Sequence, residues 1–267
     1  MREITVSSWD ELLSCVFDGA WDPTIQRYRN NRVFRGSSSK DWDLYPSLNR
    51  CCPDHLDLER HIIRSFKKYG YTELRSCDSF WQVLAMGQQH GLPTRLLDWT
   101  YSPLVAAHFA TEDINKFDTD GAIICCDMAI TNRHLPEKLR KLLLNDKCNV
   151  FTMDMLDNIA DDFDKLSEIS STPFAFFFEP ASVVNRIANQ FALFSVTSDP
   201  CSIIDELPNL NDAFLRIVIP SEIKLEIRDK LDYINISERM IYPGLDGVCK
   251  WIARRYAPLG PRFYMET

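Results

Sequence analysis

The run Gln88-Gln89-His90-Gly91-Leu92-Pro93-Thr94-Arg95-Leu96-Leu97-Asp98-Trp99-Thr100 gathers an imidazole, a guanidinium, a carboxylate, hydroxyls and an indole within one short segment. Burying so many polar groups requires a partner for each, and a connection this rich is a place where function concentrates. His90 has a reference pKa near neutrality and could pass a proton, or it could close a helix C-terminus against a carbonyl. Arg95 and Asp98 stand close enough in sequence to pair with each other. Trp99 could stack on a ligand ring or pack in the core. A second candidate is Arg35, followed by Gly36 and by Ser37, Ser38 and Ser39. The chain has only nine glycines and no glycine-rich phosphate loop. Side chains would therefore have to grip a nucleotide's phosphates, and arginine's planar, permanently charged fork suits that task best. Two readings of Arg35 stand side by side. It binds phosphate or ribose, with Gly36 permitting close approach, or it is a buried strut between strand and loop.

Helices and strands in alternation must position these groups. Ser8 with Glu11 three residues on is a capping-box start for an N-terminal helix. Val33-Phe34-Arg35 reads as a short strand and Leu58 to Tyr69 as a basic amphipathic helix. A helix from Phe80 ends at Gly91 and Pro93, and Ser102-Pro103 caps the next, through Ala110. The Gln88–Thr100 chemistry therefore falls between two helices. Gly121 to Cys126, Phe174 to Phe178, Leu193 to Val196 and Phe214 to Ile219 read as strands. Glu137 to Leu144, Ala181 to Asn189, Ser221 to Leu231 and Leu245 to Tyr256 read as helices. Leu156, Ile159, Phe163 and Leu166 recur at helical spacing, so the acids of Thr152 to Ser171 form the wet face of an amphipathic helix. The expected fold is α+β, a mixed and mainly antiparallel sheet flanked by helices. Residues 1–30 form an N-terminal helical segment, 31–200 the main domain, and 201–267 a strand-helix extension packed on it.

Three blocks carry a family resemblance. Val33-Phe34-Arg35-Gly36-Ser37-Ser38 with Trp42-Asp43-Leu44-Tyr45-Pro46-Ser47-Leu48, then Gln88–Thr100, then Asn185-Arg186-Ile187-Ala188-Asn189-Gln190-Phe191-Ala192-Leu193-Phe194, closely resemble the FRG domain, named for its Phe-Arg-Gly motif. That family usually has glycine where this chain has Ala192. The order of parts also resembles, more remotely, the ADP-ribosyltransferase arrangement. There an early arginine holds NAD, a Ser/Thr segment before a helix shapes the nicotinamide pocket, and a later acidic or polar residue completes catalysis. The second resemblance implies an ADP-ribosyltransferase-like core with Arg35, Gly36, Ser37, Arg95, Trp99, Thr100 and Phe194 around NAD. Asp98 is then the first candidate for the catalytic carboxylate, Glu179 the second. Gln190 orients ribose or acceptor but cannot act as a base, and His90 assists proton transfer. Core packing is an equal reading for Phe194.

Composition sets the outer limits. The chain has 267 residues, 45% of them hydrophobic and 25% charged, as in ordinary globular proteins. No apolar run approaches the ~20 residues that span a bilayer, and the first residues lack the apolar stretch of a signal peptide. Nine cysteines, an odd number, read as free thiols of a cytoplasmic protein. Cys51, Cys52 and His55 lack a second pair at finger spacing, so no metal is expected. The chain has no Gly-x-Ser-x-Gly elbow, zinc-protease motif or dinucleotide-binding glycine turn. A net charge of −8 argues against bulk coating of nucleic acid. Three local runs mix cations with aromatics, as single-stranded DNA or RNA binding requires: Arg27 to Arg35, Lys67 to Tyr71, and Lys250 to Tyr256. The leading expectation is an NAD-dependent enzyme that modifies a nucleobase, as a toxin or antiviral defence effector would. The rival is a non-catalytic nucleotide- or nucleic-acid-binding module.

Overall fold

A computed structural model of the chain describes residues 1–29, 31–54, 56–180 and 185–257. The strands are β1 (Arg2–Thr5), β2 (Trp21–Asp22), β3 (Arg27–Tyr28), β4 (Arg32–Ser37), β5 (Leu97–Thr100), β6 (Gly121–Asp127), β7 (Phe151–Thr152), β8 (Ala175–Glu179), β9 (Ala192–Thr197) and β10 (Phe214–Ile219). Eight of them form one sheet in the order β1-β10-β6-β4-β5-β9-β8-β7, and β2 and β3 form a separate hairpin. The two edge pairs, β1 with β10 and β7 with β8, are parallel, and the pairs between them are antiparallel. This is the expected α+β class with a mixed sheet.

The sheet is not uniform. Strand β4 matches β6 along its full length, from Arg32–Asp127 to Ser37–Ala122, and β5 matches β9 from Leu97–Ser195 to Thr100–Ala192. Between β4 and β5 a single pair, Phe34 with Thr100, is in register. Past that point the two strands part, and the sheet becomes two four-stranded halves joined at one bridge.

Each half has its own reason to hold. The helix Pro103–Thr111 begins as expected, with Ser102 accepting from Val105 N and proline in the first turn. It lies directly on β4 and β6 because those strands offer glycine beneath it. A Cβ on Gly36 would stand 1.9 Å from the Ala106 carbonyl oxygen, and one on Gly121 would stand 2.7 Å from that of Ala110. Ala106, Ala107 and Ala110 complete this close contact with Phe34, Ile123 and Ile217. The other half is an aromatic stack, with Trp81 edge-on to Phe178 at 5.4 Å and Phe178 against Phe194 at 5.5 Å.

Several elements differ from the expectations. The acidic stretch Thr152–Ser171 is two short helices, Met153–Asp157 and Phe163–Ser167. Asp162 breaks the periodic run by accepting from Lys165 N and so capping the second helix. The N-terminal segment adds β1 to the sheet beside β10 as well as its helix Trp9–Phe17. Ser8 caps that helix, but Glu11 turns back to the Ser7 amide and hydroxyl, both at 2.8 Å, rather than to Ser8. The expected helix Ala181–Asn189 is described as Asn185–Gln190, and 181–184 lie outside the described residues.

Candidate functional site

The gap between β4 and β5 is the candidate site. The run Gln88–Thr100 contains an unexpected strand, because β5 takes Leu97–Thr100. Side chains alternate along a strand. Leu97 and Trp99 therefore enter one core while Asp98, between them, is exposed. The loop ahead of β5 is tied down by a chain of hydrogen bonds. Thr94 N donates to Ser47 Oγ at 3.1 Å, Thr94 Oγ1 donates to Gln88 Oε1 at 2.6 Å, and Gln88 Nε2 donates to Asp98 Oδ2 at 2.7 Å. This relay runs from the Trp42–Leu48 block through the helix Phe80–Gln89 to the Asp98 carboxylate, fixing its orientation. Asp98 Oδ1 has no protein partner among the described residues.

Arg35 faces this carboxylate's strand from across the gap. Its Nη1 donates to the Asp98 carbonyl oxygen at 2.7 Å. No carboxylate lies within ion-pairing distance of it among the described residues. Burial lowers its pKa from the ordinary arginine value, opposed by the field of Asp98 and reinforced by the like charge of Arg50.

Two cavities meet at Arg35. The smaller, about 230 Å³, is lined by Arg35, Gly36, Gln88, Asp98, Thr100 and Gln190 among others. The larger, about 530 Å³, is lined by Arg35, Ser37, Trp42, Asp43, Tyr45 and Arg50 among others. The fold thus brings Arg35, Asp98 and Gln190 to one cleft although they lie far apart in sequence.

Other expected site residues go elsewhere. Arg95 is 6% exposed and does not touch Asp98. Its Nε donates to Glu59 Oε2 at 2.7 Å, its Nη1 donates to the Ser198 carbonyl at 3.2 Å, and its guanidinium lies 3.7 Å over the Phe163 ring. Every face of it is occupied, so the cofactor role expected of Arg95 is corrected to a buried strut. The Trp99 indole donates to Ser195 Oγ at 2.8 Å and meets Phe177 edge-on, so its ring packs in the core although the residue also lines the smaller cavity. Phe194 is likewise fully buried among aromatics. Thr100 reaches the cleft wall, but its hydroxyl donates to the Gln190 carbonyl at 2.6 Å. The Gln190 amide nitrogen in turn donates to the Ile241 carbonyl at 3.3 Å. Glu179 accepts from the Tyr101 hydroxyl at 2.8 Å and lines neither cavity. His90 caps its helix through its backbone and is exposed outside both cavities. Ser37 donates to the Ser39 carbonyl at 2.7 Å. Gly36 is glycine because of the helix above it, which the sequence could not show.

The structure also adds residues. Gln88 and Gln89 line the smaller cavity, and Arg50 joins the larger. Gln88 had a signal in sequence, since it opens the polar run. Arg50 had none, because nothing local marks it off from a solvated helix end. Phe191, between Gln190 and Ala192, is 55% exposed and holds the left-handed φ of 49° that suits glycine. An aromatic held there beside a cleft is a strained position of the kind that gathers at functional sites.

The three basic runs fare unequally. Lys67, Lys68, Tyr69 and Tyr71 are exposed, as are Arg27 and Tyr28. In the third run Arg254 is 9% exposed at its side chain and pairs with Asp232 at 2.7 Å and Glu238 at 2.5 Å. Beside it, the buried Arg228 meets Asp232 at 3.1 Å and His108 Nδ1 at 2.6 Å. Burial pulls His108 below its ordinary value, so its neutral ring accepts from Arg228. These groups fasten the C-terminal helices to the helix Pro103–Thr111.

Burial pushes the Cys125 thiol up to about 12, and the nine cysteines are free thiols. Among the described residues no three His, Cys, Asp or Glu side chains cluster as metal ligands, and no helix is long and apolar enough to cross a membrane. His55 lies outside the described residues.

No curated protein and no solved structure matches the chain. A family model does match, the FRG domain, over residues 30–119. That stretch contains β4 with Arg35, the Trp42–Leu48 wall, and the whole Gln88–Thr100 segment that carries Asp98. Residues 30–119 therefore match the FRG domain, and that stretch supplies both sides of the gap in the sheet.

Proposed function

We propose that the chain is an ADP-ribosyltransferase-like enzyme that moves ADP-ribose from NAD to a nucleobase of DNA or RNA, as a toxin or phage-defence effector would. The observation that carries this reading is Arg35 standing between two cavities, with the oriented Asp98 carboxylate in the smaller one. Together the cavities fall within the roughly 300–1,000 Å³ of small-molecule sites. Arg35 keeps guanidinium donors free for phosphate oxygens, and the smaller cavity receives the nicotinamide ribose.

The transfer breaks the bond between ribose C1′ and the nicotinamide nitrogen, and the electron pair leaves with nicotinamide. The ribose gains oxocarbenium character, which a fixed anion stabilises without having to reorganise. A nitrogen of the acceptor base forms the new bond to C1′, and its proton passes to Asp98. Exposed cations and aromatics at Arg27–Tyr28 and Lys67–Tyr71 suit a nucleic-acid acceptor.

A second reading, a non-catalytic nucleotide-binding module, draws support from Gln190. Its amide nitrogen donates to the Ile241 carbonyl, which ties the third block's glutamine to the C-terminal segment as well as to the cleft. Incubation with NAD labelled in the nicotinamide ring, with DNA, RNA and protein acceptors, separates the two. Release of nicotinamide with transfer to nucleic acid is the expected result. Binding of NAD without release under any acceptor would leave the binding module.

A further inference from the structure

Apart from the Ser47 hydroxyl that begins the relay to Asp98, the Trp42–Leu48 block has no part in the chemistry given to that carboxylate, yet it is built as a wall. Leu44 and Leu48 are buried anchors, and the Leu48 amide and Ser47 hydroxyl both bond the Thr94 carbonyl, at 3.0 and 3.3 Å. Between and beside these anchors Trp42 is 52% and Tyr45 38% exposed. Trp81 and Trp99, by contrast, are buried and packed edge-on against other rings. Among the described residues neither the Trp42 nor the Tyr45 ring packs on another aromatic ring or under a cation. Both line the larger cavity.

The same cavity is lined by two guanidiniums, Arg35 and Arg50, and by the carboxylates Asp41 and Asp43, neither of which pairs with them. Arg50 donates to the Tyr45 carbonyl and Arg35 to that of Asp98, and each retains further donors. Neither has a carboxylate within ion-pairing distance among the described residues. Two cations facing one cavity repel each other unless an anion lies between them. Guanidiniums match phosphate oxygens in shape as well as charge, and exposed aromatic faces stack bases at low conformational cost. Asp43, on the same wall, suits ribose hydroxyls, which donate to carboxylates.

We infer that the larger cavity is a nucleoside-diphosphate site, in which Arg35 and Arg50 hold the diphosphate and Trp42 and Tyr45 hold the base. The identity of the base as adenine rests on the NAD-cleaving reading. On that reading the ADP half occupies this cavity while the nicotinamide ribose passes Arg35 into the smaller one. A binding role is thereby assigned to Trp42, Tyr45 and Arg50, which the transfer chemistry leaves unused.

Isothermal titration of the full chain with ADP tests the inference. ADP binds, and AMP, which lacks the second phosphate, binds more weakly. Trp42→Ala and Arg50→Gln each weaken ADP at least about tenfold, consistent with the loss of one stacking or charge-assisted contact. Trp42→Phe restores most of the affinity. Both sites are exposed, so unchanged melting temperatures verify the fold. Absence of ADP binding, or equal affinity in Trp42→Ala and Arg50→Gln, overturns the inference. Its failure is distinct from that of the transferase reading. If ADP binds as described and NAD is never cleaved, the site stands and the transferase falls. If Trp42→Ala and Arg50→Gln release nicotinamide with unchanged KM for NAD, the transferase stands and the site falls.

Discussion

Arg35, on β4, and Arg95, just ahead of β5, both lie in residues 30–119, yet their surroundings differ in kind. Arg95 is closed in by Glu59, two carbonyls and the Phe163 ring. Arg35 is half-buried, bonds one carbonyl, and opens on two cavities with another cation near it. A buried arginine with its carboxylate is a structural strut, and removal of one partner leaves the other as an uncompensated charge. An arginine without a carboxylate at a cavity mouth is poised for an anion from outside. Residue type alone does not separate these roles; the partner does.

The largest expected effect is at Arg95. Arg95→Ala strands the Glu59 carboxylate in the interior and destabilises the fold by about 3–5 kcal/mol. Arg35→Ala loses one hydrogen bond and no ion pair, so it costs no more than about 1.5 kcal/mol. Urea denaturation of both variants measures the difference, and equal losses would erase the contrast between the two arginines.

Next comes Asp98. Asp98→Asn keeps the size of the side chain and removes its charge. Turnover of NAD falls about 10²-fold or more with affinity little changed, the mark of an interaction made mainly in the transition state. Nicotinamide release and NAD binding, measured on one preparation, check this. Full activity per folded molecule would assign Asp98 to the Gln88–Thr94 relay alone.

For Arg35 the effect is on the ligand. Arg35→Ala weakens NAD at least about tenfold, since a charge-assisted contact is worth about 1.5–3 kcal/mol. Calorimetry on a variant with an unchanged melting temperature decides it. Unchanged affinity would make Arg35 a second strut.

The smallest effect is at Phe191, which joins the two halves of the contrast, because its strain lies beside the cleft rather than in the core. Phe191→Gly relieves a left-handed residue that costs an L side chain about 1–2 kcal/mol, partly offset by the greater freedom of glycine in the unfolded chain. A net gain of up to about 1 kcal/mol in denaturation is expected. A net loss would mean that the ring is held by packing that outweighs the strain.

Elements decided by neighbouring residues alone were legible from the chain. Ser102-Pro103 starts its helix as read, Gly91 ends the one before it, and the strand patterns at Val33–Arg35, Gly121–Cys126, Phe174–Phe178 and Phe214–Ile219 all enter the sheet. The first two FRG blocks were also legible, because their residues lie in contiguous runs within the matched residues 30–119. The short strand β5 was not, since Leu96-Leu97 and the polar residues after it show no clean alternation, and its neighbour β9 supplies the ladder from far along the chain. The acidic stretch failed for a related reason: a helical period persists across Asp162, but the capping side chain ends one helix and begins another.

Tertiary structure alone decided the partners. Arg95 could have reached Asp98, three residues away, but Glu59 arrives from another helix and takes it. Gly36 reads as room for a ligand, and the helix Pro103–Thr111 fills that room. Arg50 has no local mark, and only the course of the chain after the Trp42–Leu48 wall sets it across the cavity from Arg35. A sequence specifies which groups each residue carries and the local turns it favours. Which of those groups remain unpaired, and so free for a ligand, follows from contacts between segments far apart in the chain.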